Sequence, residues 1–67
     1  MWIRTQSNEI RKVDNVYIHN GFVISTYDGE TVIELGRYTS EKRTNEVIDL
    51  FWNCLVNGGK TFHMPRY

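Results

Sequence analysis

The sequence is poor in cysteine and proline and has no excess of either charge. A single cysteine, Cys54, cannot form an internal disulfide. The only histidines are His19 and His63, and the spacing of these three residues does not match a zinc site. Eight Lys and Arg balance eight Asp and Glu, which argues against a general attraction to nucleic acid or an anionic membrane. No long apolar run predicts a signal peptide or membrane span. We therefore expect a soluble protein of the reducing cytoplasm, without metal or other cofactor.

The sequence also lacks the short motifs that accompany many catalytic sites. It contains no G-x-S-x-G, no phosphate-binding glycine loop and no H-E-x-x-H. Neither His19 nor His63 has a sequence-local carboxylate to orient it as a general base. We expect no enzymatic activity and assign no catalytic residue.

The chain is short for a self-sufficient fold. Its 67 residues predict one domain, residues 1–67, with no room for a second. At this length only about 60% of the unfolded chain's surface is buried on folding. Small folds commonly rely on disulfides, a metal or oligomerisation, and the first two are not expected here. Association with another chain is the remaining route to stability.

One stretch, Tyr38 to Gly59, predicts a long helix. Thr39 and Ser40 can cap its first turn, and Gly58-Gly59 can end it. At about 100° per residue, its apolar side chains cover an arc of roughly 240°. A helix on one sheet needs an apolar stripe only a little over about 100° wide, so a flank containing Trp52 and Val56, or one containing Leu50 and Cys54, should be covered by something else.

Three runs of branched and aromatic residues predict an antiparallel meander: residues 16–19, 22–27 and 30–35. Asn20-Gly21 and Asp28-Gly29 separate them and suit two-residue hairpin turns, which would place His19 opposite Phe22 and Tyr27 opposite Glu30. The face predicted to receive the helix then carries Tyr17, His19, Phe22, Ile24, Thr26, Thr31, Ile33 and Leu35. The other face is half apolar and carries Val16, Ile18, Val23, Ser25, Tyr27, Glu30, Val32 and Glu34.

The remaining segments complete an α+β fold. Residues 1–6 alternate like a strand, residues 10–13 suggest a brief extended piece, and Lys60 to Met64 predicts a short C-terminal strand that Pro65 ends. We expect an antiparallel sheet of four to five strands packed by one long helix.

Excess apolar surface on both the helix and the second sheet face predicts a homodimer, the commonest closed assembly. The alternative is that loops and the C-terminal tail cover these surfaces within one subunit. The predicted interface residues are Trp2, Val16, Ile18, Val23, Tyr27, Val32, Trp52 and Val56.

A basic cluster around the start of the helix is a candidate anion site. Free N–H groups, the helix dipole and three cations could hold a nucleotide or another small anion. A capped helix with a solvated basic first turn explains the same residues. The candidates are Arg37, Thr39, Ser40, Lys42 and Arg43. Nucleic-acid binding through aromatic and arginine side chains is a further alternative, which the neutral composition disfavours.

The opening Met1 to Gln6, MWIRTQ, resembles a group of short uncharacterised proteins of Firmicutes and their phages, many of which begin Met-Trp-Ile-Arg-Ser-Gln. The likeness extends to Leu35 to Glu41, to Glu46 to Asp49, and to a closing aromatic-x-Met-Pro at Phe62 to Pro65. It implies an origin in a phage, a prophage or its host. Phage proteins of this size often bind and block a host factor, including bacterial defence systems.

The function predicted from these features is that of a small non-enzymatic binding protein. It would act as a homodimer in the host cytoplasm and inhibit a host protein by stoichiometric binding, with an anti-defence role implied by the resemblance.

Overall fold

The computed structural model describes residues 1–67 and shows an α+β fold with six short strands and one helix. The α+β class, the single long helix and the short C-terminal strand agree with the sequence-based expectation. The elements are β1 (Trp2–Arg4), β2 (Ile10–Lys12), β3 (Tyr17–His19), β4 (Val23–Asp28), β5 (Thr31–Arg37), α1 (Glu41–Val56) and β6 (Thr61–His63).

The strands form two sheets of three, where one sheet of four to five strands was expected. The sheet β2-β1-β6, called here the terminal sheet, has β1 at its centre, antiparallel to β2 and parallel to β6. The sheet β3-β4-β5, called here the meander sheet, is antiparallel throughout. The parallel pairing of β1 with β6 brings the two ends of the chain together. Parallel strands are not joined by a hairpin turn, so no local sequence signal predicts this pairing.

The first hairpin of the meander sheet turns through three residues. His19 pairs with Val23, so the predicted pairing of His19 with Phe22 is wrong. Asn20 and Gly21 both have positive φ, 57° and 77°, and Phe22 is the third loop residue. Its carbonyl accepts a hydrogen bond from the backbone N–H that follows β5 (2.8 Å). Phe22 is thus bonded on the β5 side and has no partner in β3.

Side chains alternate between the two faces of a sheet, so one extra loop residue places each side chain of β3 on the face opposite to the predicted one. Ile18 pairs with Ile24 and lies on the face toward the helix, so its predicted place on the outer face is wrong. Tyr17 and His19 share the outer face with Ser25 and other outward residues, so their predicted place under the helix is also wrong.

The second hairpin differs from its predicted register by two residues, which leaves the faces unchanged. Tyr27 pairs with Val32, where Glu30 was expected. The loop is Gly29 and Glu30, and Gly29 has a φ of 64°, which suits glycine. Tyr27 and Val32 therefore lie on the outer face, as predicted.

Helix α1 begins and ends close to the predicted limits. Ser40 is the N-cap, with its Oγ accepting a hydrogen bond from the backbone N–H of Arg43 (3.0 Å), and Asn57 is the C-cap. Only Thr44 and Val47 of the helix are buried. The predicted span 38–59 thus contains the whole helix with three further residues at each end.

The core lies where the two sheets, the helix and the chain ends meet. Its residues come from four strands or their edges, the helix and the segments before and after it: Ile3, Val13, Ile24, Leu35, Tyr38, Val47 and Met64. Both sheets therefore depend on the same small core, to which the helix contributes Val47, with Ile48 and Phe51 packed against it.

Tyr38 connects the start of the helix to the C-terminal segment. Its hydroxyl donates a hydrogen bond to the carbonyl of Pro65 (2.8 Å), which also accepts one from the Gln6 side-chain amide (2.9 Å). Burial raises the pKa of Tyr38 to about 12, although the nearby Arg43 opposes the change. The phenol is thus held neutral at the junction of helix, β5 and chain end.

A candidate protein-docking groove

The second half of α1, residues 49–56, carries large apolar side chains that the fold leaves uncovered. Trp52 is 62% exposed and Val56 is 64% exposed, while Leu50 and Leu55 are 45% and 40% exposed. Trp52 and Val56 are one helical turn apart and share a flank. The expectation that the apolar arc is wider than its own fold can cover therefore holds for this half of the helix.

An apolar groove of about 310 Å³ runs between the Trp52 flank and the segment that joins β2 to β3. We call it the docking groove. Seven of its nine lining residues are hydrophobic: Met1, Val13, Val16, Ile48, Phe51, Trp52 and Leu55. The other two, Asp14 and Asn15, belong to the joining segment.

The wall opposite the helix is fixed by hydrogen bonds. The backbone N–H of Val13 donates to the carbonyl of Met1 (2.9 Å). The carbonyl of Asn15 accepts from the hydroxyl of Thr26 (2.6 Å), and its side-chain oxygen accepts from the backbone N–H of Tyr27 (2.8 Å). Because both walls belong to secondary structure or are bonded to it, the groove is formed before any partner binds.

The aromatic ring of Phe51 lines the docking groove and is supported from the sheet side. Phe51 packs edge-on against Phe62 of β6, with ring centroids 5.3 Å apart and an interplanar angle of 87°. Asp14 has the only charged side chain among the residues that line the groove. This chemistry suits an apolar side chain from a partner, since it offers neither a cluster of polar groups for a metabolite nor an acid–base pair for catalysis.

The predicted interface residues do not form one surface. Val16 and Trp52 line the docking groove, and Val56 extends the same flank. Tyr27 and Val32 are exposed on the outer face of the meander sheet, at 52% and 46%. The remaining three lie elsewhere.

Trp2 is 48% exposed on the outer face of the terminal sheet. Val23 is on the outer face of the meander sheet, but it is only 6% exposed. Ile18 faces the helix side, as described above. Sequence reasoning thus identified two groove residues and one neighbour, and scattered the other five over two sheets.

Most of the docking groove was not singled out from the sequence. Its missed hydrophobic lining residues are Met1, Val13, Ile48, Phe51 and Leu55. Ile48 and Leu55 lie one turn on either side of Trp52, so the helical period could have indicated them. The contribution of Met1 and Val13 depends on tertiary packing and has no comparable local signal.

The outer face of the meander sheet carries a stacked tyrosine pair. The rings of Tyr17 and Tyr27 are 4.9 Å apart at 13°, and His19 meets Tyr17 edge-on at 6.2 Å. The Tyr17 hydroxyl is buried without a hydrogen-bond partner. Burial raises the pKa of Tyr17, and the neighbouring Tyr27 raises it further.

Beside the tyrosine pair lies a shallow depression of about 360 Å³. It is more polar than the docking groove, with Glu34 and Arg37 joined by an ion pair of 2.8 Å at one side. This face offers exposed aromatic and aliphatic side chains but a less continuous apolar surface than the Trp52 flank.

The candidate anion residues are near one another in sequence, but their polar groups have other partners. The Arg37 guanidinium donates to Glu34 (2.8 Å), and the Arg43 Nε donates to the carbonyl of Tyr67 (2.6 Å). The Ser40 hydroxyl caps the helix. Thr39 and Lys42 are exposed and make no side-chain hydrogen bond.

No three His, Cys, Asp or Glu side chains are close enough together to hold a metal ion. The one helix is too short and too polar to cross a bilayer. Comparison with protein-family models, curated proteins and solved structures finds no match.

Proposed function

We propose that this chain is a small non-enzymatic binding protein that forms a homodimer through the docking groove and binds and blocks a host protein. Its likeness at Met1 to Gln6 and Phe62 to Pro65 to short phage proteins supports a phage or prophage origin and an anti-defence role. The observation that carries the proposal is the 62% exposure of Trp52 on the edge of an apolar groove.

A projecting ring beside a groove is suited to a two-fold interface. In such an interface the same patch is used by both copies, so a ring and a groove on one patch each meet the complementary feature of the partner. Trp52 of each copy would enter the docking groove of the other. One rotation would therefore cover both tryptophans and both grooves.

The expected gain is enough for a reversible dimer. An aromatic side chain buries about 150–250 Å² when fully covered, and at about 25 cal/mol per Å² the exposed part of Trp52 contributes roughly 2–4 kcal/mol. Symmetry doubles this value, and Val56 adds to it. Against an association cost of at least about 4 kcal/mol, the two tryptophans alone leave a net gain of at most about 4 kcal/mol, which corresponds to millimolar dissociation. Burial of Val56 and of the groove lining must supply the rest of a micromolar dimer.

Light scattering and sedimentation velocity across micromolar concentrations test the dimer. We expect a concentration-dependent dimer for the native chain and a monomer for Trp52→Glu, because the carboxylate would be buried without a partner. Leu50→Glu is the matched control: it places the same charge on the same helix, at an exposed leucine outside the groove. A native chain that stays monomeric, or a Leu50→Glu variant as disruptive as Trp52→Glu, would contradict the proposed interface.

The blocking role requires a second surface that the dimer leaves free. Both sheets keep exposed large side chains on their outer faces, including Trp2, Tyr27 and Val32. Surfaces rich in aromatic residues are favoured in protein interfaces. A host protein bound at a fixed ratio to the dimer, and inactive in that complex, is the expected result of affinity purification followed by an activity assay. A chain that turns over a substrate on its own would contradict this role.

A further inference from the structure

The outer face of the terminal sheet has a composition unlike the rest of the molecule. The pairing of β1 with β2 and β6 sets its side chains in two rows of three. The first row is Lys12, Trp2 and Thr61, and the second row is Ile10, Arg4 and His63. All six residues are exposed, whereas Ile3, Arg11 and Phe62, on the opposite side of the same strands, are more buried.

The two rows bring cations and apolar side chains together without a carboxylate. Directly opposite residues have Cβ atoms about 4.5–5.5 Å apart, and alternate residues along a strand are about 6.6 Å apart. Trp2 therefore has Lys12 at its side and Arg4 next along the strand. Neither cation forms a salt bridge with Asp or Glu. The net charge of zero hides this local excess of positive charge.

The acidic residues that balance the charge are elsewhere in the fold. Of the eight acidic residues, Asp28, Glu30 and Glu34 belong to the second hairpin of the meander sheet. The helix carries Glu41, Glu46 and Asp49, and Asp14 lines the docking groove. Glu9, which precedes β2, is paired with Arg11. Arg4 and Lys12 are thus left available for an external partner with negative charge.

We infer that this outer face is the surface that binds the host protein, and that it fits an acidic protein segment with an apolar side chain. The inference rests on the proposed function, which it deepens by assigning the partner's chemistry. Trp2 and Ile10, at 48% and 70% exposure, supply the apolar contact. Arg4 and Lys12 are diagonal to each other around these two apolar side chains, and each cation pairs with a carboxylate of the partner. This arrangement gives electrostatic complementarity and faster association.

A nucleic acid fits this face less well than an acidic protein. Single-stranded nucleic acids use several aromatic platforms along a continuous positive groove, and here Trp2 is the one large aromatic side chain, with Ile10 diagonal to it across the two rows. Outside Arg4 and Lys12 the chain carries six Lys and Arg (eight minus these two) against eight Asp and Glu, and this excess of negative charge opposes a long polyanion. Aromatic, arginine and aliphatic side chains together are typical of protein interfaces.

Nuclear magnetic resonance on the whole chain, with poly-L-glutamate as the probe, tests the inference. We expect the Trp2 indole signal and the amides of β1, β2 and β6 to shift, and raised salt to weaken the binding by at least about tenfold. The double variant Arg4→Glu with Lys12→Glu should weaken it by more than about tenfold, because two attractive pairs become repulsive. The matched control, Lys42→Glu with Arg66→Glu, makes the same change of net charge at exposed residues outside the face and should bind like the native chain.

Three results would overturn the inference: no binding of poly-L-glutamate, shifts centred on another surface, or an equal loss in the control variant. An oligothymidylate of equal charge that binds more tightly than poly-L-glutamate would also overturn it, in favour of nucleic acid. Should the double variant not fold, Arg4→Gln with Lys12→Gln replaces it, with a smaller loss expected. Light scattering on the same samples measures the dimer separately, because the docking groove contains neither Arg4 nor Lys12. Failure of this inference can therefore be distinguished from failure of the proposed dimer.

Discussion

The two halves of helix α1 differ in what covers them. Residues 41–48 include both buried positions of the helix, Thr44 and Val47, each 0% exposed. Residues 49–56 include four large apolar side chains that are at least 40% exposed, among them Trp52 and Val56. One continuous helix therefore supplies its buried side chains from its first half and leaves most apolar side chains of its second half uncovered, although Phe51 packs on Phe62. Replacing the same apolar residue type should therefore affect the free energy of unfolding in the first half more than in the second.

A valine in each half provides the sharpest test of this difference. Val47→Asp would bury an unpaired carboxylate in the shared core, at a cost of several kcal/mol. A chain of 67 residues has a total stability of about 3–10 kcal/mol at typical values per residue, so we expect the variant to be largely unfolded. Val56→Asp makes the same chemical change at 64% exposure and should leave the monomer folded.

Circular dichroism with urea denaturation measures both variants. The stated difference between the two halves would be contradicted if the two aspartates destabilise the chain equally. It would also be contradicted if Val47→Asp unfolds at the same urea midpoint as the native chain. Val56→Asp should instead appear in the assay for association, as a weaker dimer, because Val56 extends the flank that contains Trp52.

Much of this helix was predictable because its signals are local. Ser40 and the glycines after residue 57 mark its ends, and the width of its apolar arc predicts that part of its surface stays uncovered. Asn20-Gly21 and Asp28-Gly29 likewise predict two hairpins. These features depend on neighbouring residues, so they can be read without the fold.

The sequence-based predictions were wrong where residues far apart in the sequence determine the structure. Phe22 belongs to the loop, with its carbonyl bonded to the N–H of Tyr38, and this one-residue difference in register places Ile18 on the face opposite to the predicted one. The β1–β6 pair joins strands at the two ends of the chain, which split the expected single sheet into two. The docking groove needs Val13 and Val16 beside the helix, and no local pattern places them there.

Tyr38 tests how firmly the first half of the helix is held. Tyr38→Phe removes the hydrogen bond to Pro65, whose carbonyl keeps the Gln6 amide as a donor, so we expect a loss of about 1 kcal/mol at neutral pH. The folded chain holds the pKa of Tyr38 at about 12, above its ordinary value of 10.0. Between these values the unfolded chain has lost the phenol proton and the folded chain has kept it, so stability is complete below pH 10 and falls as pH rises toward 12.

The measurement is the free energy of unfolding from urea titrations at a series of alkaline pH values. The native chain should lose more stability than Tyr38→Phe over that interval, and the difference between the two curves isolates this residue from Tyr17. Tyr67→Phe is the control, because Tyr67 is 89% exposed. Parallel curves for the native chain and Tyr38→Phe would show that the phenol is not held as the structure indicates.

The smallest effect is expected at the helix N-terminus, where a small anion was the alternative ligand. A nucleotide at a hundred times its dissociation constant would stabilise the chain by about 2.7 kcal/mol. We expect no such change with ATP, because Ser40 already caps the N–H of Arg43, and Glu41 places a negative charge in the first turn. The guanidiniums of Arg37 and Arg43 are bonded to a carboxylate and a main-chain carbonyl, which leaves Lys42 alone among the predicted cations. A thermal shift with ATP that Lys42→Glu abolishes would contradict this expectation, and would mean that the first half of the helix also binds a ligand.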